Sequence, residues 1–314
     1  MKTSPPTARI STPLAAPRIY RRLHFWRWVS ALVVLGAVAG IIVVLAGARI
    51  RWPHVLQYVV LDTMAQAAWN TVVLAVAAQL VAVVIGVIIA IMRISRNPVA
   101  TSVATGYIWI FRGVPVLVQI LVWYNLALVI DRIVIGVPFT DWTLIDQPTN
   151  AIMTAFTAAL LGLALNESAY MAEIIRGGLK GVDAGQTEAA HALGMSPMHT
   201  LARIILPQAM RIIIPPTGNN FINMLKTTSL ASVVTYFELV KAAANISSRN
   251  LEVMETLFAA AVWYMIIVTI ASIGQFYLER AFDGSNRRGR PRTLRVAIRN
   301  ALVRPPFSRR GIDE

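Results

Sequence analysis

The chain has 314 residues, of which 56% are hydrophobic and 14% charged, against about a quarter charged in soluble globular domains. That balance, with a mean hydropathy of +0.61, argues against a soluble domain and for a polytopic membrane protein. The chain contains no cysteine, which excludes disulfides, thiol nucleophiles and cysteine metal sites, and its net charge of +14 has meaning only through its placement.

A membrane span needs about 20 mostly apolar residues. In chain order, Val29–Ala48, Thr63–Met92, Gln147–Asn166 and Thr256–Leu278 carry no charge, while Asn97–Ile130 is interrupted only by Arg112 and Ile212–Phe237 only by Lys226. Six spans are predicted. The fifth contains Pro215, Pro216, Gly218 and a polar run, so a kink is expected there. The first has a basic lead and ends in Ala46-Gly47-Ala48, as a cleavable signal would. Its apolar run exceeds the roughly 7–15 residues of a signal core, so a retained anchor is expected. Gly36 and Gly40 give it the spacing that lets helices approach closely.

With the N-terminus in the cytoplasm, 22 Lys and Arg lie on the cytoplasmic side and five (Arg49, Arg51, Arg132, Lys241 and Arg249) outside. The positive-inside rule therefore predicts cytoplasmic termini at both ends. The basic ends are explained by membrane orientation rather than by nucleic acid. The Arg-rich tail, 281–314, is expected to lie against anionic lipid headgroups. The four histidines, His24, His54, His191 and His199, are scattered, and no metal site is expected.

One cytoplasmic segment, 182–207, is too polar and proline-punctuated for a span. Asp183 is placed to cap a helix over Ala184–Leu193, with Gln186 as its capping-box partner. Gly194 is placed to stop that helix. Ser196-Pro197 restarts the chain, a second helix follows over Met198–Leu206, and Pro207 marks the join to the next span. The alanine-rich surface suits a groove on a partner protein or, equally by its physics alone, the membrane surface.

The spacing of Glu188-Ala189-Ala190, Gly194, Ile204 and Leu206-Pro207 resembles the EAA loop of ABC importer permeases. Residues 111–119, FRGVPVLVQ, resemble the FRGTPLLVQ segment of the polar amino acid permeases within that group. Residues 169–178, AYMAEIIRGG, and 225–233, LKTTSLASV, resemble two further segments of the same family. The similarity covers roughly 64–280. It implies an all-α type I ABC importer permease fold with a five-helix core, to which the span at 29–48 is an extra N-terminal helix. The segments 1–28 and 281–314 are then a basic cytoplasmic lead and tail.

The resemblance implies a multi-pass protein of the bacterial inner membrane that imports polar amino acids. Its partners would be a cytoplasmic ATPase dimer, an extracytoplasmic substrate-binding protein and a second permease chain. The chain contains no Gly-x-x-x-x-Gly-Lys-Ser/Thr phosphate loop, so ATP would be hydrolysed by the partner, and no cofactor is expected. Glu188, Ala189, Ala190 and Gly194 would couple to the ATPase. Gln119, Asn219, Asn223, Lys226, Thr227 and Ser229 are the candidate pathway residues. Lys226 is the sharpest of these, because an ionisable group within a span is costly and faces a cavity or a partner. It would attract a substrate carboxylate, neutralise an acidic side chain, or form a structural ion pair. Arg112 is read as snorkelling or structurally paired. Glu167 and Glu173 are read as organising the loop with Arg176.

Three alternatives have distinct signatures. A stand-alone channel or secondary transporter has no use for a docking loop. An intramembrane enzyme needs a nucleophile and base, or metal ligands, within spans, and none is found. A permease for another small solute would keep the loop but lack the amino acid segments.

Overall fold

In the computed structural model, residues 25–137 and 142–282 are described. The leading segment through residue 24 and the tail from 283 onward, for which the cytoplasmic and lipid-bound expectations were made, lie outside the described residues.

Helix α1 (Phe25–Gly47) has 23 residues and so a length of about 34 Å, enough to cross a bilayer. It belongs, with the residues that follow it to Ile50, to one unit, and the remaining elements form a second unit. In that second unit come α2 (Trp52–Val59), α3 (Asp62–Ile94), α4 (Pro98–Gly113) and α5 (Val116–Tyr124). A hairpin of β1 (Arg132–Gly136) and β2 (Thr143–Pro148) follows, then the single turn α6 (Thr149–Ile152) and the long α7 (Ala155–Lys180). Segment 182–207 folds as α8 (Ala184–Ala192) and α9 (Pro197–Thr200). Helices α10 (Leu206–Thr227), α11 (Leu239–Asn250) and α12 (Val253–Phe282) complete the unit.

Among the described residues, α1, α3, α7 and α12 are each long and apolar enough to span a membrane, and α4 with α5 counts as a fifth span bent by 98°. The remaining expected span, the fifth, is α10, whose 22 residues reach about 33 Å but carry a polar face. Two expected boundaries are corrected. The uncharged run 147–166 was read as the fourth span, but the helix is Ala155–Lys180, and residues 143–152 form β2 and α6. The fifth span does not continue to Phe237: α10 tightens at Thr228–Val234 into a 3₁₀ stretch and ends with Thr235 at a left-handed φ of 63°. The hairpin was not anticipated. It pairs Arg132 with Pro148 through Ile135 with Ile145, and a 2.8 Å Arg132–Asp146 ion pair crosses it.

The core is a packing of small residues. Helix α3 buries Ala67, Ala68, Thr71, Leu74, Ala75, Ala78, Ala82 and Gly86, a stripe at helical period. Helix α7 answers with Ala158, Ala159, Gly162, Ala164, Ala169 and Ala172. Small side chains let the two backbones approach, which in lipid supplies the association that hydrophobicity cannot. At Gly162 a Cβ would lie 2.5 Å from Cγ1 and 2.9 Å from the backbone N of Ile120, so α5 sits directly on the α7 backbone.

Helix α2 is clasped to the start of α12. Tyr58 donates to Glu252 at 2.6 Å, His54 Nδ1 lies 2.8 Å from the same carboxylate, Arg51 pairs with it at 2.9 Å, and the Trp263 indole donates to the Val59 carbonyl. The hydrogen bond from Tyr58, then that from His54, holds the Glu252 carboxyl below the usual carboxylate range. The bond to Glu252 is also the main cause that pushes the Tyr58 phenol up to about 12. A carboxyl depressed in the folded state stabilises it at every pH above the unfolded value of about 4.3, and that stability is lost as pH falls through the folded value. Glu252→Gln is therefore expected to melt below the wild type at about pH 6, with the difference closing below about pH 4. Thermal unfolding of the purified protein across that range checks this, and a gap that persists in acid would contradict it.

Candidate functional site: a docking segment and a polar helix face

Residues 182–207 carry the first part of the site. The Asp183 carboxylate caps α8 by accepting from the Gly185 N–H at 2.7 Å. The expected capping box does not form: the Gln186 side chain instead accepts from Gln208 at 3.4 Å, which ties α8 to α10. The end of α8 is a Schellman motif, in which the Met195 N–H bonds the Ala190 carbonyl and the Gly194 N–H bonds that of His191. Gly194 takes φ +73°, a conformation in which a side chain would be strained. The Ser196 hydroxyl then accepts from the His199 N–H and starts α9.

This geometry sorts the four expected coupling residues. Ala190 is buried at 1% exposure and packs the segment inward, whereas Glu188, Ala189 and Gly194 are exposed. Leu193 and Met198, at 82% and 73% exposure, add apolar bulk to the outer surface. The result is a small-residue ledge with one carboxylate and two projecting hydrophobes.

The expected second short helix does not end at Leu206. Helix α9 passes through a π stretch, Leu201–Ile205, straight into α10. Pro207 is the cause: it has no N–H to give the Arg203 carbonyl, and its ring crowds that carbonyl. The ladder widens by one residue, with the Leu206 N–H bonding Leu201. Helix α9, the π stretch and α10 are thus one helical run, to which α8 is joined by the turn at Gly194. Helix α10 also continues without interruption through Pro215 and Pro216, and the Thr217 hydroxyl donates to the Ile213 carbonyl there.

The second part of the site is the exposed face of α10. Asn219, Asn223 and Lys226 are spaced four and three apart, so they share one side, and all three are exposed. Lys226 has no ion pair among the described residues. The structural-pair alternative therefore finds no partner among those residues. The Thr227 hydroxyl is turned back to the Asn223 carbonyl at 2.9 Å, and Ser229 lies in the following 3₁₀ turn with its carbonyl accepting from Ser232.

Gln119 stands apart from that face. It is buried, and its amide donates to the carbonyls of Phe111 at 3.0 Å and Val114 at 2.9 Å. Asn166 of α7 donates to Phe111 as well, at 2.6 Å. These are the carbonyls freed where Pro115 ends the α4 helix and forces Val114 into the extended region. Gln119 thus closes the bend, and its amide N–H groups are spent there. The other segment residues are also structural. Arg112 stacks over the Tyr170 ring at 4.8 Å. Glu173 pairs with Arg176 at 2.6 Å, as expected. Glu167 does not join them but accepts from Asn220 at 2.7 Å, bridging α7 to α10. The roles of Asn166 and Glu167 had no signal in the sequence beyond their being polar within apolar surroundings. Among the described residues no His, Asp or Glu cluster could hold a metal ion.

Residues 82–284 match the family of binding-protein-dependent transport system inner membrane components. The chain belongs to that family. It is 41% identical to the arginine transport system permease protein ArgU of Corynebacterium glutamicum over 282 residues, covering 89% of this chain and 86% of that one. It is 40% identical over 222 residues to the probable amino-acid permease protein YxeN of Bacillus subtilis, covering 70% and 92%. Among solved structures, an amino acid ABC transporter superposes with a TM-score of 0.63 at 32% identity, covering 74% of this chain and all of that one. An inward-facing MetNI methionine transporter shares the fold, with a TM-score of 0.55 at 18% identity. The permease fold expected from the loop spacing is borne out, as is its membrane-embedded, helical character.

The geometry separates a structural glutamine from a pathway one. Gln119→Leu leaves the Val114 carbonyl without its side-chain donor, at a cost of about 1–3 kcal/mol for a buried unmet group. It is expected to lower the melting temperature and the yield of assembled transporter while leaving the half-saturating concentration of imported amino acid unchanged. Uptake kinetics in proteoliposomes check this, and a selective shift in that concentration would return Gln119 to the pathway.

Proposed function

We propose that this ABC transporter permease subunit imports polar amino acids and that segment 182–207 is where it takes up the work of its ATPase. The observation that carries the reading is the docking ledge itself. A capped, glycine-stopped helix presents Glu188 and Ala189 to the outside, and after the turn at Gly194 the chain runs from α9 through the π stretch into the helix that bears Lys226. The EAA-type spacing of Glu188-Ala189-Ala190, Gly194 and Leu206-Pro207 favours a partner protein over the membrane surface as what covers it. Amino acid cargo is supported by the names of the relatives and by segments 111–119 and 169–178.

In this reading the chain hydrolyses nothing. A cytoplasmic ATPase grips the ledge, with Glu188 facing a basic group and Ala189 allowing close approach, while Ala190 and Gly194 hold the shape. A substrate-binding protein delivers cargo from outside. A second permease chain, a copy or a relative, covers the polar face of α10, so that Asn219, Asn223 and Lys226 line the path between the two and Lys226 meets the substrate carboxylate. Thr227 and Ser229 shape the end of that face. The distribution of Lys and Arg supports cytoplasmic termini, with the span at 29–48 added to a permease domain at 64–280.

The test is amino-acid-stimulated ATP hydrolysis by the complex reconstituted with its ATPase and binding protein. Stimulation by one or a few polar amino acids is expected. Glu188→Ala should cut stimulated hydrolysis about tenfold or more, the effect of losing a charge-assisted contact worth ~1.4 kcal/mol or above, while the complex still assembles. Lys226→Ala should instead raise the amino acid concentration needed for uptake. Stimulation by no amino acid, or by a different solute class, would sink the cargo assignment. Full coupling in Glu188→Ala would sink the docking role.

A further inference from the structure

Between the first half of α10 and the last turns of α12 lies a cleft of about 180 Å³, lined by Arg211, Ile214, Pro215, Glu279 and Phe282. Its walls carry opposite charges that do not meet. Arg211 lies on α10 and Glu279 on α12, and no ion pair joins them among the described residues, although both line the same small space. Glu279 is held in place. The Gln275 amide donates to its Oε1 at 2.7 Å and also faces the Pro215 carbonyl at 3.3 Å and the Asn219 side chain at 3.2 Å. Gln275 in turn is seated on Gly218, where a Cβ would come within 2.8 Å of its side chain. The glycine is what lets α12 reach across α10 at this level.

Two opposite charges kept apart in one cleft select a ligand that carries both. A guanidinium offers a planar pair of N–H donors matched to a carboxylate, and a fixed carboxylate accepts from an ammonium group. Ile214, Pro215 and Phe282 add apolar contact beside them. The volume is below that of sites for drug-sized ligands, which fits the backbone end of one small zwitterion, its side chain projecting through the open side. We propose that this cleft is an exit-side binding site for the released amino acid, its carboxylate on Arg211 and its ammonium on Glu279. The proposal rests on the amino acid cargo and on the cytoplasmic position of the α9–α10 junction given above. It adds a second station, joined to the polar face of α10 through Asn219 and Gln275.

The absence of native cysteine provides the assay. Phe282→Cys places a single thiol of this chain in the cleft, and its alkylation by a water-soluble maleimide is followed in the assembled complex, in nanodiscs of phosphatidylcholine and phosphatidylglycerol. L-arginine or L-glutamine at millimolar concentration should slow alkylation several-fold. Agmatine, which lacks the carboxylate, should not. Arg211→Gln or Glu279→Gln in the same background should abolish protection without changing the rate in the absence of amino acid. Ile214→Cys, on the opposite wall, repeats the measurement should the first reporter disturb assembly. No protection by amino acids that do stimulate ATP hydrolysis overturns the cleft alone and leaves the cargo reading standing. No protection together with no stimulation by any amino acid overturns both. Equal protection by agmatine overturns the proposal. So does protection that appears, without amino acid, when phosphatidylethanolamine is added to the discs, since the zwitterion is then a lipid headgroup.

Discussion

A backbone carbonyl within a bilayer must find a donor inside the protein, because no water is at hand. This chain breaks a spanning helix at Pro115 and meets that demand with two side chains. Gln119 serves the Phe111 and Val114 carbonyls from the far side of the bend, and Asn166 serves Phe111 from α7. Because the repair comes partly from another helix, the bend also positions α5. It lands on Gly162, where only a hydrogen fits against Ile120. The prolines of α10 are handled locally: Pro207 by widening the ladder, Pro215 and Pro216 within a helix where the Thr217 hydroxyl adds a bond to a nearby carbonyl. One helix therefore turns sharply and the other carries on.

Much of this was legible in the sequence for simple reasons. The long uncharged runs behind α1, α3 and α12 have no alternative use, and the punctuation Asp183, Gly194, Ser196-Pro197 states where short helices begin and end. The fourth span was misread because absence of charge was taken as the mark of a span. Helix α7 keeps Glu173 and Arg176 within it by pairing them with each other and Glu167 by giving it Asn220, and this last partner, distant in sequence, cannot be read from a window of residues. The same limit hid the work of Gln119. A glutamine four residues after a proline is equally consistent with a pore lining and with a repaired bend, and only the positions of the two carbonyls decide. The hairpin, with strands of five and six residues, is too short for its alternation to stand out between apolar neighbours.

The polar residues of α10 divide by side. Asn220 turns toward α7 and Glu167, Gln275 of α12 reaches Asn219, and Asn223 and Lys226 are left facing outward. A helix whose inner contacts are already satisfied presents its remaining polarity to whatever lies beyond the chain. Lys226 near one end of α10 and Glu188 on α8, beyond its other end, are both exposed.

The π stretch at Leu201–Ile205 sets the phase between those two ends. Each residue of an α-helix advances about 100° around the axis, so the extra residue held in the wide turn rotates the ledge relative to the α10 face. The orientation of the 182–207 surface is thereby set separately from that of the polar α10 face. Losing one residue from that turn would let the ladder close and swing the ledge by about a quarter turn, with every side chain on it unchanged. The register of a single turn therefore fixes the angle between the 182–207 surface and the polar face of α10.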